Sequence, residues 1–288
     1  VKSSRRKSTE STRLLPSGGC PTCYCNLPTN FYRIYLILFS PVTLITIILL
    51  QLIFLSAGVE TEHDGVKPLI LCIFDVLSKH VSPDEELIRA AYSIGDEFSV
   101  IFFEAVVMVP GLIIYITESR SGYNKFQLVR EKKSGFAASN FAVIVLSELI
   151  IAAVSLLVYD LLISLIFPDW KAYIGTCLRT DLMLLLTIMI SGLFQMILAD
   201  LTPNIFAVSS IFIAVNYSCF SYSIQLTMDP EVMGNPLIYL LDDNTACINI
   251  LSQDMHLAAA CALIVLIKLV LFSAVEAIIL KIKYKRVM

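Results

Sequence analysis

The chain has 288 residues, 57% of them hydrophobic, and a formal net charge of -3. One water-facing core cannot cover so much apolar surface, which excludes a soluble domain and makes the bilayer the solvent for much of the chain. No nucleic-acid partner is expected, and the eight cysteines are too few and too scattered for a disulfide scaffold.

Residues 1–30 carry Ser, Thr, Pro, Gly and the basic cluster Lys2, Arg5, Arg6 and Lys7. Such a composition buries too little apolar area to fold alone and reads as a cytosolic disordered tail or linker. The opening on Val1, without the pattern of a secretory signal, reads as a fragment or processed product. Arg5-Arg6-Lys7-Ser8 fits a basophilic kinase site, and Glu10 with Leu14-Leu15 fits an acidic dileucine signal; both patterns are short enough to arise by chance. The run CPTCYC (Cys20, Cys23, Cys25) suits palmitoylation, zinc or redox chemistry, or plain reduced thiols. A zinc site would need further ligands, and no metal site is expected.

Six apolar runs follow, at about 34–55, 98–117, 141–167, 182–199, 205–226 and 257–280, each of about 18 residues or more and long enough to span. They define an all-α polytopic domain over 31–288. Leu69–Leu77 is too short to cross and carries Asp75, so it reads as an interfacial or externally packed helix. The loop 60–97 is acidic and 227–256 has no Lys or Arg, whereas Arg120, Lys125, Arg130, Lys132 and Lys133 lie between the second and third runs and Lys281, Lys283, Lys285 and Arg286 end the chain. The positive-inside bias then places both termini and the 120–133 loop in the cytosol. Pro41 and Pro110 are expected to kink the first two spans, and Pro203 suits the first turn of the fifth.

Inside the runs stand Glu104, Glu148, Asp160, Lys268 and Glu276. A lone charge in hydrocarbon costs on the order of 3 kcal/mol, so Glu104, Asp160 and Lys268, at similar depths, are expected to form one buried cluster. Cys177 and Cys247 fall in expected external segments, where they could pair or stay free, with Cys72 competing. No phosphate-binding loop occurs, and His63, His80 and His256 lack metal-like spacing, so no catalytic residues are assigned.

Glu118, Arg130-Glu131, Ser134-Gly135-Phe136, Ser139-Asn140-Phe141 and Glu148-Leu149 occur in the order found in the membrane domain of G-subfamily (White-type) ABC half-transporters, which the chain resembles. Phe136, Asn140 and the absence of Pro after Leu149 depart from the family pattern, and Phe220-Ser221 is followed by Tyr222 where the family often has Gly. The resemblance implies an ABC-2 type exporter membrane domain for lipophilic or amphipathic cargo. It makes Glu118, Arg130, Glu131, Ser134 and Gly135 a coupling segment and turns Val106, Ile211, Val215 and Ser218 toward a substrate cavity. It also implies a nucleotide-binding domain carrying ATP and Mg as partner, a homo- or heterodimer with a second membrane domain, and a plasma-membrane or endolysosomal location. The chain itself would hold no cofactor and catalyse no hydrolysis. A six-span channel or ion-coupled carrier, supported by the acids in the spans, and a non-transporting membrane remnant are the alternatives.

Overall fold

The computed structural model describes residues 26–61, 65–79, 85–93, 97–122, 133–167, 170–228, 236–250 and 255–283. In chain order the elements are α1 (Asn26–Leu38), α2 (Pro41–Leu55), the strands β1 (Gly58–Thr61) and β2 (Gly65–Pro68), α3 (Leu69–Lys79), α4 (Glu85–Ser93), α5 (Glu97–Val107) and α6 (Val109–Ser121). Then come α7 (Lys133–Ile166), α8 (Ile174–Leu201), α9 (Ile205–Thr227), α10 (Asp243–Ile250) and α11 (Met255–Lys283), with 3-10 turns at Trp170–Ala172 and Pro236–Leu240. Among the described residues four helices are long and apolar enough to cross a membrane, and six spans result if the bent pairs α1/α2 and α5/α6 each count as one. The protein is thus an all-α, multi-pass membrane protein with one small hairpin.

Both bends have local causes. Before Pro41 the chain leaves helical geometry at Ser40, whose hydroxyl accepts the Thr43 N–H at 3.1 Å and starts α2 afresh, 52° from α1. Pro110, with no N–H and a ring that crowds the preceding turn, sits just past the break at Met108, where α5 and α6 differ by 41°. Pro203 lies in the turn before α9 rather than inside it. Asn204 is the N-cap, its side chain accepting the Phe206 N–H at 3.1 Å, so the turn has no need of a proline at the first helical position.

The hairpin pairs Gly58 with Pro68 through Thr61 with Gly65, and the Leu69 N–H returns to the Ala57 carbonyl at 2.8 Å. α3, an 11-residue helix, packs beside it on the end of α2. α8 is the central helix, touching α4, α5, α7, α9, α10 and α11, whereas α9 and α11 are buried along far less of their length. Phe54 links α2 to its neighbours, its ring centroid 4.9 Å from that of Phe103 and 5.0 Å from that of Tyr159. Polar cross-links run through the apolar core: Gln51 Nε2 donates to Ser155 O and Oγ at 2.9 Å, and Gln195 Nε2 donates to the Glu104 carbonyl at 3.1 Å. In hydrocarbon such bonds fix helix register, since no water competes for the groups.

Candidate functional site

The end of the bundle where α6, α8 and α11 finish and α7 begins is held by two charged networks. Arg33 of α1 is 4% exposed, and its guanidinium forks onto Glu118 of α6: Nε donates to Oε1 at 3.0 Å and Nη2 ion-pairs with Oε2. Nη1 donates to Asn140 Oδ1 of α7 at 2.7 Å, and Ser139 Oγ bonds Asn30 Oδ1 of α1 at 3.0 Å. Only the planar fork of Arg reaches a carboxylate and a third helix together. One turn away Lys283 of α11 donates to Asp200 Oδ1 at 2.7 Å and Ser119 Oγ at 3.2 Å, while the Tyr115 hydroxyl donates to the same Asp200 oxygen at 2.8 Å. Arg120 also donates to the Pro203 carbonyl. Because Glu118, Ser119 and Arg120 belong to α6, that helix joins both networks.

Of the expected coupling segment, Glu118 lies in this junction. Arg130 and Glu131 fall outside the described residues, as do Cys20, Cys23 and Cys25; Ser134 and Gly135 belong to the first turn of α7. Ile211, Val215 and Ser218 lie on the exposed side of α9, while Val106 is partly buried at the core's edge.

Deeper in, Glu148 of α7 is fully buried, and neither carboxyl oxygen has a hydrogen-bond partner among the described residues. Two glycines make room for it. A Cβ on Gly111 of α6 would stand 2.6 Å from Glu148 Oε1, and one on Gly192 of α8 would stand 3.5 Å from Oε2.

Of the expected cluster of Glu104, Asp160 and Lys268, Glu104 and Lys268 both lie about Cys247 of α10. Lys268 forms its ion pair with Asp243 of α10. Asp160 instead faces Asp181 of α8, with which it lines one cavity. The reason is topological. Within the 227–256 stretch α10 packs on α8 and α11 and brings Asp243 to Lys268. A lone mid-span cation beside a loop with acids and no Lys or Arg was the available signal for this pairing. Asp181 lies outside the expected span at 182–199, but α8 begins at Ile174. Cys177 and Cys247 are both free thiols, one on α8 and one buried in α10, so the bridge between them is not formed.

Lys268→Met is expected to lower the thermal unfolding midpoint of the purified protein, because it strands a partly buried carboxylate. Asp243→Asn in the same chain should restore part of the loss. A strictly additive double variant would show that the pair contributes no coupling.

Between α7 and α8, beneath Tyr92 of α4, lies a cavity of about 410 Å³ whose lining includes the Asp160/Asp181 pair. Asp160 is about 9 Å along the axis from the end of α7, and Asp181 about 10 Å from the start of α8, so the two acids share one depth.

Fold and site together describe a helical membrane protein of several spans with charged clusters at one end and acids inside. Comparison of the chain with protein-family models, curated proteins and solved structures found no match.

Proposed function

We propose that the chain is the membrane-spanning part of an ATP-driven exporter of lipophilic or amphipathic compounds, with ATP hydrolysis supplied by a nucleotide-binding domain outside it and a second membrane domain as dimer partner. The observation that carries this reading is the junction of Arg33, Glu118 and Asn140. It fastens α1, α6 and α7 together on both sides of the basic 123–132 segment. A force applied to that segment would move the three helices as one body, while the bends at Ser40 and Met108 let the rest of each span follow at an angle. The exposed side of α9, with Ile211, Val215 and Ser218, would then meet the second membrane domain across the substrate path.

The test is a full complex with its ATPase partner, in which Arg130 and Glu131 are both replaced by Ala. ATP hydrolysis should persist while transport falls. Unchanged transport would overturn the assignment of a coupling segment.

A second reading, an ion-coupled carrier, draws on Glu148, because a wholly buried carboxyl, here without a hydrogen-bond partner among the described residues, is a frequent mark of proton or ion pathways. Transport by proteoliposomes under a proton gradient without ATP would favour it over the first.

The exporter reading puts the charged-junction end in the cytosol. In a variant whose native cysteines are Ser, Ser121→Cys should resist a membrane-impermeant maleimide applied to sealed cells, and Val66→Cys should react. The opposite pattern would invert the topology.

A further inference from the structure

The cavity between α7 and α8 is independent of the charged junction and of the dimer face. Its volume of about 410 Å³ falls in the range of sites for small organic molecules, roughly 300–1,000 Å³. Leu157, Leu161 and Leu178 form its wall, all more than half exposed, so it opens sideways where the surrounding medium is hydrocarbon. At its polar side stand Asp160 and Asp181, on facing helices at one depth.

Two carboxyl groups facing each other in one apolar-walled cavity resist ionising together and favour sharing a proton. Sharing one proton, they carry a single negative charge between them. The other titratable groups about the pair are Tyr92 of α4, Tyr159 of α7 and Cys177 of α8; among the described residues no Lys, Arg or His lines the cavity. The cations Arg89, Lys171 and Arg179 on the neighbouring elements are exposed and outside the cavity lining, and none forms a described ion pair with the two acids. A net negative charge with apolar walls and a lateral opening is the complement of one kind of molecule.

We infer that this cavity binds a monovalent organic cation with an apolar body, entering sideways from the half of the bilayer nearer α4, with its charge against Asp160 and Asp181. A neutral lipid chain would fill the walls but leave the acids without a counter-charge, and a metal ion would find no further carboxylate among the described lining residues. A choline headgroup brings the same ammonium, yet it is tethered to a phosphate that the acids repel.

The test uses the full chain in phosphatidylglycerol nanodiscs, with methyltriphenylphosphonium as the cation and triphenylphosphine as its neutral counterpart. The cation should bind, and the neutral compound should bind at least about tenfold more weakly. Because one net charge suffices, Asp160→Asn and Asp181→Asn alone should each keep the affinity within about threefold, whereas the double variant should lose about tenfold or more. Equal binding of the neutral compound, or full binding by the double variant, would overturn the inference. Should the double variant fail to fold, Ala153→Trp, which fills the cavity and leaves both acids in place, keeps the test open: it should abolish binding, and retained affinity would place the cation elsewhere. Substituting phosphatidylcholine for phosphatidylglycerol should change the affinity little; competition by the choline lipid would overturn the assignment to a free cation.

Discussion

Arg33→Ala is expected to give the largest single loss of stability in the chain, on the order of 3 kcal/mol, because it removes the cation from a carboxylate that remains mostly buried. Glu118 is 16% exposed in the pair and Asn140 is 2% exposed, so neither recovers much water when the guanidinium goes. The Asn140 amide also has its nitrogen buried without a partner among the described residues, which leaves Arg33 as the one described contact of its side chain. Arg33→Lys should restore little, since an ammonium cannot meet both carboxylate oxygens and the amide in one plane. Thermal unfolding of the purified protein, followed by size-exclusion recovery after heating, reads the effect. A midpoint within a degree or two of the native protein for both variants would show that the junction is dispensable. A stable variant that loses transport while its partner still hydrolyses ATP would instead locate its importance in coupling.

Gly111→Ala is expected to destabilise by about 1–3 kcal/mol, the usual consequence of overfilling a packed site. The added methyl would lie 2.6 Å from Glu148 Oε1 and 3.2 Å from Ile144 Cγ2, and the carboxyl is enclosed, so it has little room to swing away. Gly192→Ala is the internal control: its methyl would meet Glu148 and Met108 at 3.5 Å, ordinary contact, and should be nearly neutral. Combining Gly111→Ala with Glu148→Ala removes the obstruction and should recover most of the loss, measured as coupling in a double-mutant cycle. If Gly111→Ala and Gly192→Ala behave alike, the two glycines do not fit around Glu148 in the way the distances indicate.

Much of the architecture was legible because membrane spans are written in length and hydropathy, and these survive without any tertiary information. All six expected spans correspond to apolar helices or bent pairs, and the first two breaks fall beside Pro41 and Pro110 as the ring chemistry requires. Boundaries were less legible. The fourth apolar run begins at Leu182, just past the charged Arg179 and Asp181, whereas α8 begins at Ile174 and carries Asp181 to the cavity that Asp160 also lines. The pairing of charges was the least legible feature. Depth along a span can be counted from sequence, but azimuth about the helix axis and the path of a loop cannot, and these two decide which groups touch.

By itself the sequence determined that the chain needs a bilayer, which runs are apolar and long enough to cross it, and which residues must find a partner once buried there, because transfer free energy depends on residue type and run length alone. The partners themselves were decided only by the tertiary structure. Lys268 meets Asp243 because α10 folds onto α8 and α11, Arg33 meets Glu118 because the chain turns at Ser40, and Glu148 fits because Gly111 and Gly192 reach it from two other helices. Each is a contact between segments far apart in the chain, set by helix rotation and packing rather than by any local propensity.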